Sequence, residues 1–336
     1  LAQRYNDEIQ EEIPEVDAIV GTTAIDAIAE CIDKLEAGAA TNYYKDIHAK
    51  PVSKVGRVLT TGGHFAYLKI ADGCDNYCTY CIIPSLRGKY KSRPEESIIA
   101  EARTLAENGV KEIIVIAQDT TKYGEDIYGA PVLHELLYSL NEIEGIEWIR
   151  LHYAYPAAFP EDVIEVMARE PKICKYLDIP FQHISDKMLS AMKRRHTKAE
   201  AMELIKRLRR QIPDIALRTT LLVGYPGETL EDIAELEEFV REVRFDRLGV
   251  FPYSEEEGTY SATELTDDVP EEEKECRAAR IMQIQEQISL ENNLSRVGRV
   301  MRVMVDSRQG DYYVARSEYD SPEVDQELVI ESFGKR

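Results

Sequence analysis

From Phe65 onward the chain alternates short apolar runs with longer amphipathic segments, and no other feature constrains its fold as tightly. The runs are 65–71 (FAYLKIA), 112–117 (EIIVIA), 147–151 (EWIRL), 175–181 (KYLDIPF), 215–223 (IALRTTLLV) and 246–251 (DRLGVF). Each has strand length, and helical spacings fill the intervals near 95–108, 132–142, 160–170, 185–211 (with an interruption) and 229–243. Strands that alternate with helices predict a parallel sheet buried on both faces. Six repeats are too few for the usual eight-stranded barrel, so the expected fold is an open, partial (β/α)6 barrel. Pro94 stands where the first of these helices begins, and Thr229 with Asp232 predicts a capping box.

The flanks read differently. Residues 1–40 place Ile9, Ile13, Val16, Ile19 and Val20, then Ile25, Ile28, Ile32 and Leu35, at helical spacings, yet own too little apolar mass for a core. The expected domains are therefore 1–62, the helical end of a preceding domain plus a linker broken at Gly62–Gly63, then 63–294, the barrel with a long closing helix from about Pro270 to Leu294. Residues 295–336 form a small β unit that looks cut off at Arg336. A start at Leu1 without a signal-peptide pattern predicts part of a longer cytoplasmic protein. No apolar run approaches the roughly 20 residues of a membrane helix. With 41 basic and 62 acidic residues the net charge is −21, which argues against general nucleic-acid binding and suits a basic partner. Segment 254–275 concentrates that charge and reads either as a solvated acidic loop or as a face for such a partner.

Three of the six cysteines, Cys74, Cys78 and Cys81, fall within eight residues directly after the first strand. Cys31, Cys174 and Cys276 stand alone and read as packed thiols. Structural zinc wants four ligands, and His64 lies on the far side of the strand, an awkward fourth. Ordinary ferredoxin clusters use four cysteines at other spacings. Three cysteines on three irons of a [4Fe–4S] cubane leave the fourth iron open to substrate, which is the favoured reading.

The spacing C-x-x-x-C-x-x-C with the aromatic Tyr80 resembles the radical S-adenosylmethionine (SAM) enzymes. Segment 82–93 (IIPSLRGKYKSR), Gly109-Val-Lys-Glu, Ala117-Gln118-Asp119-Thr120 and Gly224-Tyr-Pro-Gly-Glu228-Thr229 are similar to the methylthiotransferases within them. The resemblance implies a radical SAM barrel followed by a TRAM domain, and cleavage of SAM at the open iron to a 5′-deoxyadenosyl radical. It also implies a second [4Fe–4S] cluster in an amino-terminal domain, whose ligands are absent here, and a low-potential electron donor. Tyr80, Gln118, Asp119, Gln182, Arg218, Gly224 and Gly227 are the expected cofactor-binding residues. His183 is read as structural rather than catalytic, and the run Arg87, Lys89, Lys91, Arg93 as a solvated loop or a phosphate contact.

Within the family, Asp178-Ile-Pro-Phe-Gln182-His183-Ile-Ser and Ala117-Gln-Asp-Thr-Thr resemble the branch that modifies the β-carbon of an aspartate in small-subunit ribosomal protein twelve. The competing branch modifies a prenylated adenosine of tRNA. Residues 296–336, with seven basic and eight acidic residues, lack the cationic excess that tRNA would require, so the basic ribosomal protein is the expected partner.

Overall fold

The computed structural model describes residues 2–39, 42–49 and 58–331. Six strands form one parallel sheet in sequential order: β1 (Phe65–Lys69), β2 (Glu112–Ile116), β3 (Trp148–Leu151), β4 (Ile173–Asp178), β5 (Ala216–Val223) and β6 (Arg247–Pro252). β1 and β6 are the free edges, so the sheet is an open partial barrel. β3 is buried at all four positions, as a sheet covered on both faces requires.

Helices Glu95–Glu107, Leu133–Asn141, Glu161–Arg169, Lys198–Gln211 and Leu230–Val243 return the chain between strands. Each buries an apolar stripe at helical spacing, such as Ile98, Ala102 and Leu105, against Leu68, Ile113, Val115 and Leu151 of the sheet. Thr229 and Asp232 form the expected reciprocal cap, and Thr197 with Glu200 forms a second. The interruption expected within 185–211 separates Asp186–Ala191 from Lys198–Gln211, with Lys193 and Arg195 at positive φ between them. The long helix spans Glu271–Arg296 and buries Ile281 and Ile288 in the barrel core.

The amino-terminal expectation needs correction. Helix Asn6–Glu12 stops before Pro14, which bars the α region to Ile13, and regular helix resumes only at Ile28–Glu36. Between them Val20 bridges to Tyr43 in extended form, so Val16, Ile19 and Val20 are not one helical face. The linker expected from Pro51 lies, up to residue 57, outside the described residues.

At the other terminus β7 (Val303–Gln309), β8 (Tyr312–Ser317) and β9 (Leu328–Glu331) make an antiparallel sheet in the order β9-β8-β7. This unit closes the amino-terminal end of the barrel. Glu112, fully buried, receives Arg150 Nε at 2.7 Å and Arg316 Nη1 at 2.5 Å. Segment 318–325 runs beneath the strands: Arg150 donates to the Glu318 carbonyl at 2.7 Å, Arg247 pairs with Asp320, and Ser321 Oγ meets His152 Nε2 at 2.9 Å. His64 is committed here too, 2.7 Å from Asp306, and takes no part in the cysteine loop.

Candidate functional site

The carboxyl-terminal ends of β1 to β4 enclose a cavity of about 460 Å³, within the size range of small-molecule sites. Cys74, Cys78 and Cys81 all line it, together with Lys69, Asn76, Tyr80, Gln118, Tyr153, Tyr155, Gln182 and Arg194. The cysteine loop is held from three sides. Gly73 at φ +78 passes so close to the Gly88 and Lys89 carbonyls that no side chain fits. The Asn76 amide donates to Asp119 Oδ2 at 2.8 Å. Thr79 Oγ1 donates to the Ala191 carbonyl at 3.0 Å, and Ser261 Oγ donates to the Thr79 carbonyl at the same distance.

Burial pushes the Cys74 thiol up to about 11, with the Asp119 carboxylate and the neighbouring thiols adding to the effect, and it raises Cys81 as well. Metal ligation reverses that preference by taking the thiolate. Among the described residues no three His, Cys, Asp or Glu side chains converge as the ligands of a single ion would. A cubane makes a different demand, because each thiolate takes a different iron at its own corner. Three cysteines around one cavity fit that demand better than they fit mononuclear zinc.

Among the expected cofactor residues, Tyr80, Gln118 and Gln182 line the cavity with the cysteines. The buried Gln118 Oε1 has no hydrogen-bond partner, the state of an acceptor awaiting a donor. Gln182 sits at φ +70, a left-handed conformation that a non-glycine residue holds only under constraint, and Tyr153 does the same at φ +56. Asp119 is adjacent but occupied. Its carboxylate, raised by burial, caps the turn Thr120–Lys122 through Thr121 and holds Asn76. It therefore acts on the loop and does not line the cavity.

Arg218 and the two glycines are not brought to this place. Arg218 lies near the start of the eight-residue β5, so it emerges on the floor, 2.7 Å from Asp325 and 3.5 Å from Asp178. There it lines a separate cavity of about 710 Å³. Gly224 and Gly227 have positive φ, but their N–H groups go to Glu228 Oε1 at 2.7 Å and Asp268 Oδ1 at 2.8 Å. The close approach at Gly224 is made by the Lys274 side chain, not by a ligand. His183 is fully buried; Nδ1 accepts from the Ile184 and Ser185 N–H groups, which leaves the proton on Nε2, 3.3 Å from Glu228. Arg277 binds the other oxygen of Glu228 at 2.7 Å, which ties the Glu228 turn to the long helix, while His183 Nε2 and Glu228 Oε2 lie close without a hydrogen bond.

Arg194 was not legible as a site residue. It donates to Cys78 Sγ and to Tyr80 Oη at 3.4 Å each, stacks 4.4 Å from the Tyr155 ring centre and is almost fully buried. Its one sequence signal is the run Lys193-Arg-Arg-His196 inside a predicted helix interruption. The basic run after the cysteines serves the fold: Arg93 is buried against Glu101 and the Lys69 carbonyl, and Lys91 reaches the Ile47 carbonyl. Cys31 and Cys174 are buried as expected, but Cys276 is exposed on the long helix. Glu256 and Glu257 of the acidic segment engage Arg4, at 3.0 and 3.7 Å, so part of that charge fastens the amino-terminal segment.

Comparison with known proteins matches residues 68–240 to the Radical SAM superfamily and residues 297–336 to the TRAM domain. The ribosomal protein uS12 methylthiotransferase RimO of Christiangramia forsetii is 51% identical over 332 residues, 99% of this chain and 71% of that protein. RimO of Lachnoclostridium phytofermentans is 49% identical over 332 residues, 98% and 75% of the two chains. Among solved structures, coproporphyrinogen III oxidase (HemN) from Escherichia coli, a radical SAM enzyme, superposes with a TM-score of 0.51 at 16% identity. That match covers 76% of this chain and 67% of that one, and it is a likeness of fold.

Proposed function

Because the chain belongs to the ribosomal protein uS12 methylthiotransferases of the radical SAM superfamily, its chemistry rests on an iron–sulfur centre and SAM, and we propose the residues that serve it. Cys74, Cys78 and Cys81 hold a [4Fe–4S] cluster with one open iron, and Gln118, Gln182 and Tyr80 line the place where SAM lies. The observation that carries this reading is the meeting of all three cysteines with those side chains around one cavity.

The chemistry that the cluster and SAM would supply when bound is abstraction of a hydrogen atom, which an unactivated β-carbon of the uS12 aspartate requires. The protein positions and excludes. Asp119 fixes the cysteine loop through Asn76, and Arg194 places a guanidinium against the Cys78 sulfur. The aromatic walls Tyr80, Tyr153 and Tyr155 limit water around reactive species. Attachment of the methylthio group needs a second cluster, which we assign to residues outside this sequence, since its cysteines provide one such triple. The partners proposed are uS12 and a low-potential electron donor, in the cytoplasm; among the described residues no helix is long and apolar enough to cross a membrane.

Anaerobic reconstitution followed by iron analysis, Mössbauer spectroscopy and chromatography for 5′-deoxyadenosine tests the assignment. The expected result is a [4Fe–4S] centre and SAM cleavage, both abolished by joint Cys74→Ala, Cys78→Ala and Cys81→Ala replacement. Stoichiometric zinc without iron uptake, or cleavage that survives the triple replacement, overturns it. Mass spectrometry of uS12 and of unmodified tRNA after reaction with the full-length enzyme then tests the substrate.

A further inference from the structure

The cavity has a charge opposite to that of the molecule around it. The chain carries a net −21, yet no aspartate or glutamate lines the cavity among the described residues, whereas two cations do, Lys69 and Arg194. The two are differently committed. Arg194 is buried against Cys78 Sγ, Tyr80 Oη, the Pro180 carbonyl and the Tyr155 face, so its charge belongs to the cysteine site. Lys69 is the last residue of β1, its side chain is 41% exposed, and Nζ rests 3.0 Å from Asp72 Oδ2. Asp72 has other support, from Arg87 Nη1 at 3.7 Å and the Gly73 N–H at 3.0 Å. Lys69 can leave this pair because the more covered Asp72, 15% exposed, keeps Arg87 and the Gly73 N–H.

We propose that Lys69 is the specificity residue that reads the carboxylate of the target aspartate in uS12. This rests on the reading of the site given above. A basic substrate is drawn by the acidic exterior, but the group presented for modification is itself an anion, and it needs a cation at the bottom of the approach. SAM's amino and carboxylate groups would be taken by the open iron, and Arg194 is committed to the Cys78 sulfur. Lys69 is the remaining cation on the cavity wall, and a lysine without a buried counterion fits one incoming carboxylate as a point charge. Selection for aspartate over its amide follows, because asparagine leaves the ammonium unpaired.

The test is a double-mutant cycle on the full-length, cluster-loaded enzyme with purified uS12 and with uS12 carrying asparagine at the target position. Binding is read by fluorescence anisotropy, and methylthiolation by mass spectrometry. Lys69→Met is expected to weaken binding of uS12 by about tenfold, to leave the asparagine form bound as weakly as by the parent enzyme, and to be largely rescued by Lys69→Arg. Equal weakening of both uS12 forms overturns the proposal. So does a loss that falls on SAM affinity, measured by equilibrium dialysis, and ignores the uS12 side chain: the same carboxylate chemistry would then belong to SAM. If the parent enzyme itself does not methylthiolate uS12, the functional reading fails instead, and the two failures are distinguishable.

Discussion

At the amino-terminal end of the barrel, acids face bases inside the protein: Glu112 between Arg150 and Arg316, Arg247 with Asp320, Arg218 with Asp325. At the carboxyl-terminal end, Gln118 Oε1 and Arg194 Nε are buried without hydrogen-bond partners, and Tyr77, Tyr153, Gln182, Lys193 and Arg195 hold left-handed backbone. Both ends are rich in polar groups, so polarity does not distinguish them. They differ in proportion: the floor too holds Arg150 Nη2 without a hydrogen-bond partner and Glu323 at φ +69, but its acids are matched to bases, whereas left-handed residues concentrate around the cavity. A charge matched internally contributes to the fold, and an orphaned group on a strained segment marks a place completed by something else.

The largest effect expected from that contrast is on the floor. Arg316→Met strips one cation from a carboxylate that has no access to water, and should cost about 3 kcal/mol in chemical denaturation. Adding Glu112→Gln should deepen the loss, because Arg150 is then buried with no anion beside it. A cost below about 0.5 kcal/mol would mean that the floor pairs behave like surface pairs.

An intermediate effect is expected where the two kinds of site meet, at Arg194. Arg194→Met removes an N–H donor and a positive charge from the Cys78 sulfur, and should lower the cluster midpoint in an EPR-monitored titration. A shift of about 59 mV, tenfold in the one-electron equilibrium, is the scale expected. An unchanged midpoint with iron fully retained would make Arg194 a packing residue only.

The smallest effect is at Gln182. Gln182→Gly relieves a left-handed residue and should stabilise the fold by roughly 0.5–1 kcal/mol, while weakening SAM binding measured by equilibrium dialysis. Loss of stability together with unaltered SAM affinity would show that the strain has no connection with the site.

The sheet was readable because burial on both faces leaves near-continuous apolar runs, and all six runs became neighbouring strands in chain order. The meeting of the cysteines with Gln118 and Gln182 around one cavity was readable because local chain order places them after strand ends. Arg218 lies at the opposite end from the cysteines because a strand has two ends, and residue type alone does not tell which one a side chain serves. The glycines are a related case: their positive φ is real, but the group that presses on Gly224 is Lys274, 50 residues away in the sequence. Arg194 and Lys69 are not legible in the sequence because what sets them apart is what surrounds them, a property of three dimensions that spacing does not carry.

The terminal β unit also sets an order of events during synthesis. Its contacts reach far back along the chain: His64 meets Asp306 across 242 positions, and Tyr67 meets Glu323 across 256. As translation proceeds, the six strands leave the ribosome before Arg316 and Asp325, which complete the pairing of Glu112 and Arg218, exist. For that interval the half-made barrel exposes mismatched charge and an unsealed core, and contacts this distant in sequence form slowly. Until residues 303–325 are made, the barrel has no floor, so its completion waits on a segment that follows all six strands.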